Sequence, residues 1–85
     1  MNPYEIIRHP YITEKTMVLM EKNNSLQFIT KIDANKKQIK EAIEKIFAVK
    51  VESVNTRIGK KGKIATVKLK PEYRAEDVAT RIGAL

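Results

Sequence analysis

The residues of this chain that can do chemistry are concentrated in one basic stretch, numbers 53–71. These 19 residues contain no acid and six cations: Arg57, Lys60, Lys61, Lys63, Lys68 and Lys70. Gly59 and Gly62 flank a pair of lysines between two β-rich runs, which predicts a hairpin with a positively charged tip. Ammonium groups at such a tip displace the counterions condensed on RNA or DNA, and this displacement favours binding. A solvated, lysine-rich surface turn is the alternative interpretation.

The net charge of the whole chain favours a polyanionic partner. Lysine and arginine together number 17 against 10 acids, which gives a formal charge of +7 in 85 residues. The acids are clustered, so the segments between them are strongly basic. A membrane surface is also anionic, but no segment has the large apolar face of a helix that lies on a membrane.

Few side chains fit a catalytic or metal-binding site. His9 is the only histidine and there is no cysteine, so we expect no metal site, no cofactor and no catalytic triad. No glycine-rich loop precedes a helix as nucleotide binding requires. Glu41 and Glu44 fall on the polar side of an amphipathic helix, where solvation explains them. Asn55 with Arg57 leaves open a small acylphosphatase-like enzyme, although the phosphate-holding loop of that class is missing.

The length predicts one domain, residues 1–85, with a modest core and no room for a second catalytic unit. The first residues lack a charged region followed by an apolar stretch, which argues against a signal peptide. No apolar run approaches the roughly 20 residues of a membrane span, so we expect no membrane insertion. Together with the lack of cysteine, these features predict a soluble, cytoplasmic protein.

Two helices are predicted to position the basic stretch. Residues 13–22 form the first, with Thr13 as its N-cap. Residues 36–48 form the second, where Asn35 and Gln38 fit a capping box. Its apolar residues recur at helical spacing on one face: Ile39, Ala42, Ile43, Ile46 and Phe47. Such a stripe must pack on a sheet, because an isolated helix this short is marginal in water.

Strands are predicted on either side of these helices. Residues 5–8 form a short first strand, and residues 26–32 alternate with Phe28 and Ile32 on the core side. Aromatic residues such as Phe28 and Tyr11 can stack on bases in an RNA-binding sheet. The phase that Phe28 shares with neighbouring apolar residues favours a place in the core instead.

The basic stretch itself is predicted to be a β-hairpin. Residues 49–58 alternate with a slip near Glu52 and Ser53, which indicates a bulge. Residues 64–70 form the return strand, and a closing helix ends near Gly83, a plausible C′ residue. The fold class is therefore α+β, a small antiparallel sheet packed with helices in the order β-α-β-α-β-β-α.

Four segments together resemble large-subunit ribosomal protein family 23. They are HPYITEK at 9–15, KQIKEAIEKIF at 37–47, VESVNT with the following GKKGK at 51–63, and DVATRIG at 77–83. The segments cover nearly the whole chain in the order of the family. The loop at 59–63 stands where bacterial members carry a long basic extension, so we do not expect it to line the exit tunnel. The short N-terminus is similar to that of archaeal members.

The resemblance implies a constituent of the large ribosomal subunit that binds large-subunit rRNA beside the polypeptide exit. It also implies two partners, a neighbouring large-subunit protein of family 29 and the signal recognition particle. Glu14 matches an acid that faces the exit surface and can serve factor docking. The RNA contacts of the family map onto Arg8, His9, Lys15, Asn55, Thr56, Arg57, Lys60, Lys61 and Lys63.

Three further lysines complete the predicted RNA-binding set. Lys36 and Lys37 begin a helix, where positive charge opposes the macrodipole, so we expect an anionic partner for them. Lys68 belongs to the basic stretch. A stand-alone basic RNA-binding or annealing module is the alternative to a ribosomal role.

Overall fold

The computed structural model describes residues 2–82 as eight elements. The helices are α1 (Pro3–Ile6), α2 (Glu14–Asn23), α3 (Lys36–Phe47) and α4 (Ala75–Arg81). The strands are β1 (Ile7–Pro10), β2 (Ser25–Thr30), β3 (Val51–Gly59) and β4 (Gly62–Leu69). The α+β class and the predicted order β-α-β-α-β-β-α are confirmed, with the one-turn helix α1 placed before that order. Gly83, expected to follow the last helix, lies outside the described residues.

The four strands form one antiparallel sheet in the order β1-β2-β4-β3. Strands β3 and β4 make the predicted hairpin, whose register shifts between Val51 and Ser53. This shift confirms the bulge expected from the slip in alternation, because an extra residue on one strand reverses the phase of the side chains that follow.

Successive side chains of a strand point to opposite faces, so the pairing assigns residues to two faces of the sheet. The inner face carries Leu26, Phe28, Val54, Thr56, Ala65 and Val67. The outer face carries Gln27, Ile29, Asn55, Arg57, Ile64 and Thr66.

Helix α3 covers the inner face with its apolar stripe. Its residues Ile39, Ala42 and Ile43 are fully buried, and the rings of Phe28 and Phe47 stack with centroids 5.9 Å apart. Phe28 is therefore a core residue, as its phase indicated. The capping box at Asn35 and Gln38 and the N-cap at Thr13 are also confirmed.

Two predictions at the strand ends were wrong. Residues 5–8 were expected to be extended from the start, but Asn2 caps a helical turn that begins at Pro3, a residue suited to the first helical position. Ile32 was expected to face the core, but strand β2 ends at Thr30 and a turn follows, so 59 % of Ile32 is exposed.

Asn24 joins the end of α2 to the start of α4. Its backbone is left-handed, with φ of 54°, and it ends α2. Its side-chain amide donates to the carbonyl of Tyr73 over 2.7 Å, and its Oδ1 accepts the backbone N–H of Ala75 over 2.7 Å. Because Arg74 provides no side-chain cap, Asn24 satisfies a first-turn donor of α4 from a distant part of the chain.

Candidate nucleic-acid interface

The basic hairpin ends in a short turn at Lys60 and Lys61. Gly62 has φ of 112°, a conformation open to glycine that lets the chain reverse here. Lys60 is exposed, whereas the Nζ of Lys61 lies 5.7 Å from the centroid of the Tyr11 ring. At this distance the ammonium makes a cation–π contact with the ring face. The tip is therefore held against the segment between β1 and α2.

Tyr11 is positioned by the sheet. Its backbone N–H donates to the carbonyl of Gln27 over 2.9 Å, which continues the pairing of β1 with β2. The neighbouring His9 pairs opposite Ile29, and both lie on the outer face. Ile29 and Ile64 are buried on this face, outside the principal core, and form a small apolar patch among its polar residues.

A cleft of about 220 Å³ opens between α2 and the outer face. Its walls include the predicted RNA-binding residues Lys15 and Arg57, together with Tyr11. Gln27 lies in the same wall, and its Nε2 donates to the Oγ1 of Thr66 over 2.9 Å. None of the residues that line this cleft is acidic. Cations separated by about forty positions in sequence thus meet around one cleft.

Three predicted RNA-binding residues lie away from this cleft or have protein partners. Thr56 is half-buried on the inner face, opposite Ala65. The Nζ of Lys63 donates to the carbonyl of Ala34, also on the inner side of the sheet. Lys68 is on the outer face, but its Nζ lies 3.3 Å from a carboxylate oxygen of Glu52. The ammonium groups of Lys63 and Lys68 each have further N–H donors, so these contacts reduce their availability to phosphate without abolishing it.

The remaining predicted residues are exposed at separate positions. Arg8 lies at the irregularity of β1, next to His9. Lys36 and Lys37 occupy the first turn of α3, which contains no acid. Glu14, the predicted docking residue, lies exposed in the first turn of α2. Asn55 is exposed on the outer face beside Arg57.

The electrostatics of the cleft are dominated by cations without acidic partners. Within residues 2–82, the ion pairs join Lys31 to Asp33, Lys68 to Glu52 and Arg74 to Glu76. The same part of the chain has no group of three or more potential metal ligands. It also has no helix long and apolar enough to cross a membrane.

Comparison with known proteins gives the family. The family described as "Ribosomal protein L23" matches residues 5–77 of this chain. The chain belongs to the ribosomal protein L23 family. The matched range includes the hairpin, the cleft and all the predicted site residues.

Three similar archaeal proteins carry the name "Large ribosomal subunit protein uL23". That of Methanothermobacter thermautotrophicus is 46 % identical over 84 residues, which covers 98 % of each chain. That of Thermoplasma acidophilum is 51 % identical over 79 residues, or 93 % of this chain and 94 % of the relative. That of Methanobrevibacter smithii is 49 % identical over 84 residues, 98 % of each. The predicted resemblance to the archaeal form is confirmed.

Membership of the L23 family decides the broad class of function. The family is structural and non-enzymatic, so the phosphatase alternative is excluded and Asn55 with Arg57 is not a catalytic pair. Its members are ribosomal proteins, which places this chain in the cytoplasm with the ribosome.

Sequence reasoning missed how Tyr11, Leu19 and Gln27 contribute to the cleft, because their proximity depends on the packing of α2 against the sheet.

Proposed function

We propose that this chain binds large-subunit rRNA close to the polypeptide exit tunnel, as a structural constituent of the large ribosomal subunit. The observation that carries the proposal is the cleft on the outer face. Lys15 from α2 and Arg57 from β3 line it, while Lys61 lies over the Tyr11 ring at its border. Cations gathered from a helix, a strand and the hairpin turn, around a cleft whose lining residues include no acid, can neutralise several phosphates at once.

The other predicted contacts extend this surface. Arg8 and His9 lie exposed on β1, and Lys60 lies exposed at the hairpin tip. Lys36 and Lys37 form a second basic group at the start of α3. We include Asn55 and Thr56 as weaker contacts. We also include Lys63 and Lys68, whose ammonium groups already contact the Ala34 carbonyl and the Glu52 carboxylate.

The protein partners are proposed on the family resemblance. Glu14 is exposed at the start of α2, as a residue that docks exit-site factors must be. We propose it as a contact for the signal recognition particle, and a ribosomal protein of family 29 as a neighbour. In this proposal residues 1–85 act as a single rRNA-binding domain.

A salt titration with naked large-subunit rRNA tests the binding. If about five phosphates are neutralised, the logarithm of the binding constant falls against log salt with a slope of about −3.5 to −4.5. Arg57→Ala is expected to weaken binding and to reduce the slope by about 0.7–0.9. Lys45→Ala is the matched control, because Lys45 is an exposed cation on α3 outside the proposed contacts.

An affinity that stays flat between low and moderate salt contradicts the proposal. Co-migration with the large subunit in a high-salt sucrose gradient separates the ribosomal role from a stand-alone RNA-binding module. A module of that kind leaves the subunit at high salt, because its attachment rests on exchangeable phosphate contacts alone.

A further inference from the structure

The cleft on the outer face offers more than positive charge. Tyr11 and Leu19 give it an aromatic and an aliphatic wall, and Gln27 gives it a polar edge. Lys15 and Arg57 are the two cations that line it. A site for phosphate alone needs only the two cations, whereas the Tyr11 ring and the Gln27 amide in a largely polar cleft suit a ligand that has both a flat ring and a polar edge.

The Gln27 amide is held in place for recognition. Only 8 % of the residue is exposed, and its Nε2 donates to Thr66. A side-chain amide has two N–H donors and a carbonyl oxygen with two acceptor positions. Among the hydrogen bonds of residues 2–82, that to Thr66 is the only one this amide makes, so one N–H and the carbonyl oxygen are free. One donor beside one acceptor matches the edge of a nucleobase.

The size of the cleft limits the ligand to a single base. Its volume of about 220 Å³ is below the roughly 300–1,000 Å³ typical of sites for drug-sized molecules. A duplex cannot enter such a space, but one unpaired base can, with its phosphates left outside. Lys15 and Arg57 are the lining cations available to those phosphates.

We infer that this cleft receives one unpaired nucleotide of the RNA, with the base between Tyr11 and Leu19 and its edge at Gln27. This inference rests on the proposed rRNA binding and adds the ligand class of the site. Specific recognition of RNA is directed mainly at unstacked bases of this kind, through stacking on aromatic side chains and hydrogen bonds to the base edge. The cation–π contact of Lys61 helps hold the Tyr11 ring in place for stacking.

Nucleotide titrations followed by NMR test the ligand class on the isolated chain. Adenosine 5′-monophosphate is expected to shift the side-chain amide signals of Gln27 and the backbone signal of Leu19. Ribose 5-phosphate has the same charge without a base, and it is expected to shift only signals near Lys15 and Arg57. Identical shift patterns from the two compounds would overturn the inference, because the cleft would then bind phosphate alone.

A pair of variants tests the cleft in the rRNA complex. Leu19→Phe narrows the cleft and keeps every cation, so rRNA binding is expected to weaken about tenfold or more with the salt slope unchanged. Val18→Phe introduces the same ring on the same helix at a residue that is 47 % exposed and outside the cleft, and it is expected to bind within about twofold of the parent.

The outcomes distinguish a failure of this inference from a failure of the proposed rRNA binding. If the parent binds rRNA and Leu19→Phe binds equally well, the cleft is empty in the complex and the inference fails while rRNA binding stands. If the parent itself does not bind, the proposed function fails. Thermal melting shows whether Leu19→Phe folds, and if it does not, the NMR titrations decide.

Discussion

At the scale of single residues, burial separates the side chains that hold the fold from those that can meet a ligand. Ile43 is fully buried, and it lies on the same helix as the exposed Lys40. Ile43 contributes through the apolar area it removes from water and through close packing. Lys40 is solvated and makes no ion pair among the described residues.

Ile43→Ala is expected to lower the free energy of unfolding by about 2–5 kcal/mol, because it removes buried methyl groups and leaves a cavity. Lys40→Ala is the matched control on the exposed side of α3 and is expected to change that free energy by less than about 0.5 kcal/mol. Urea unfolding of both variants measures the difference. Equal midpoints would show that the assigned face of α3 is wrong.

The sequence shows which residues are cationic, but it does not show which of their side chains are free to bind phosphate. Lys15, Arg57 and Lys61 meet at the outer face, although nothing in their local sequence links them. Lys63 and Lys68 look equivalent to them in the sequence, yet their ammonium groups have partners at Ala34 and Glu52. These contacts arise from cross-strand neighbours and loop packing, which a linear pattern does not contain.

At the scale of elements, the sequence predicted correctly those features that depend on residues within a single segment. The capping box at Asn35, the apolar stripe of α3 and the bulge of β3 all follow from spacing within a few residues. The exposure of Ile32 and the capping role of Asn24 depend on where distant segments pack, and the sequence did not show them. Helix α1 was missed because its Asn2-Pro3 start signal precedes only one turn.

Asn24 contributes to stability in two ways, through its backbone and through its side chain, and substitutions can separate the two. Its left-handed backbone ends α2, and its side chain bonds the start of α4. Asn24→Gly keeps the favourable left-handed backbone but loses the side-chain bonds, at an expected cost of about 1–3 kcal/mol. Asn24→Ala loses both and is expected to cost about 1 kcal/mol more. Thermal and urea unfolding check the ranking, and equal stability of Asn24→Gly and the parent would show that the side-chain bonds contribute nothing.

Ala48 marks a place where the end of α3 is strained. It caps the helix with φ of 56°, a conformation that its Cβ disfavours by about 1–2 kcal/mol. Ala48→Gly is expected to raise the free energy of unfolding by about 0.5–1 kcal/mol, since the relief of strain exceeds the added entropy of the unfolded chain. Lys50→Gly, at an exposed position with no positive φ, is expected to be destabilising, and a loss of stability in Ala48→Gly would contradict the assigned cap.

At the scale of the whole molecule, the charge and the shape of the hairpin decide what the protein can reach. The net charge of +7 attracts any polyanion, whereas a specific contact requires cations in fixed places. The tip between Gly59 and Gly62 is short, and four extended residues going out and back project about 7 Å. The contact of Lys61 with Tyr11 holds this tip beside the sheet. We therefore expect its lysines to bind nearby rRNA phosphates rather than the nascent chain.

Charge reversal at the tip separates this local contact from the general attraction. Lys60→Glu with Lys61→Glu is expected to weaken rRNA binding by well over 1 kcal/mol, because two phosphate contacts become repulsive. The control is Lys40→Glu with Lys45→Glu on the exposed side of α3. Each Lys→Glu substitution replaces a positive charge by a negative one, so both double variants lower the net charge from +7 to +3. The control is expected to slow association through weaker steering but to keep most of the affinity.

Melting temperatures and crosslinking complete this test. The tip variant is expected to melt within a few degrees of the parent, since the turn lies outside the core and an exposed cation–π contact contributes about 0.5–1 kcal/mol. Equal losses of affinity in the two double variants would show that only net charge matters and that the tip is a solvated turn. Efficient crosslinking of Lys61 to a nascent peptide inside the tunnel would contradict the reach argument, because a tip held against Tyr11 cannot extend far from the sheet.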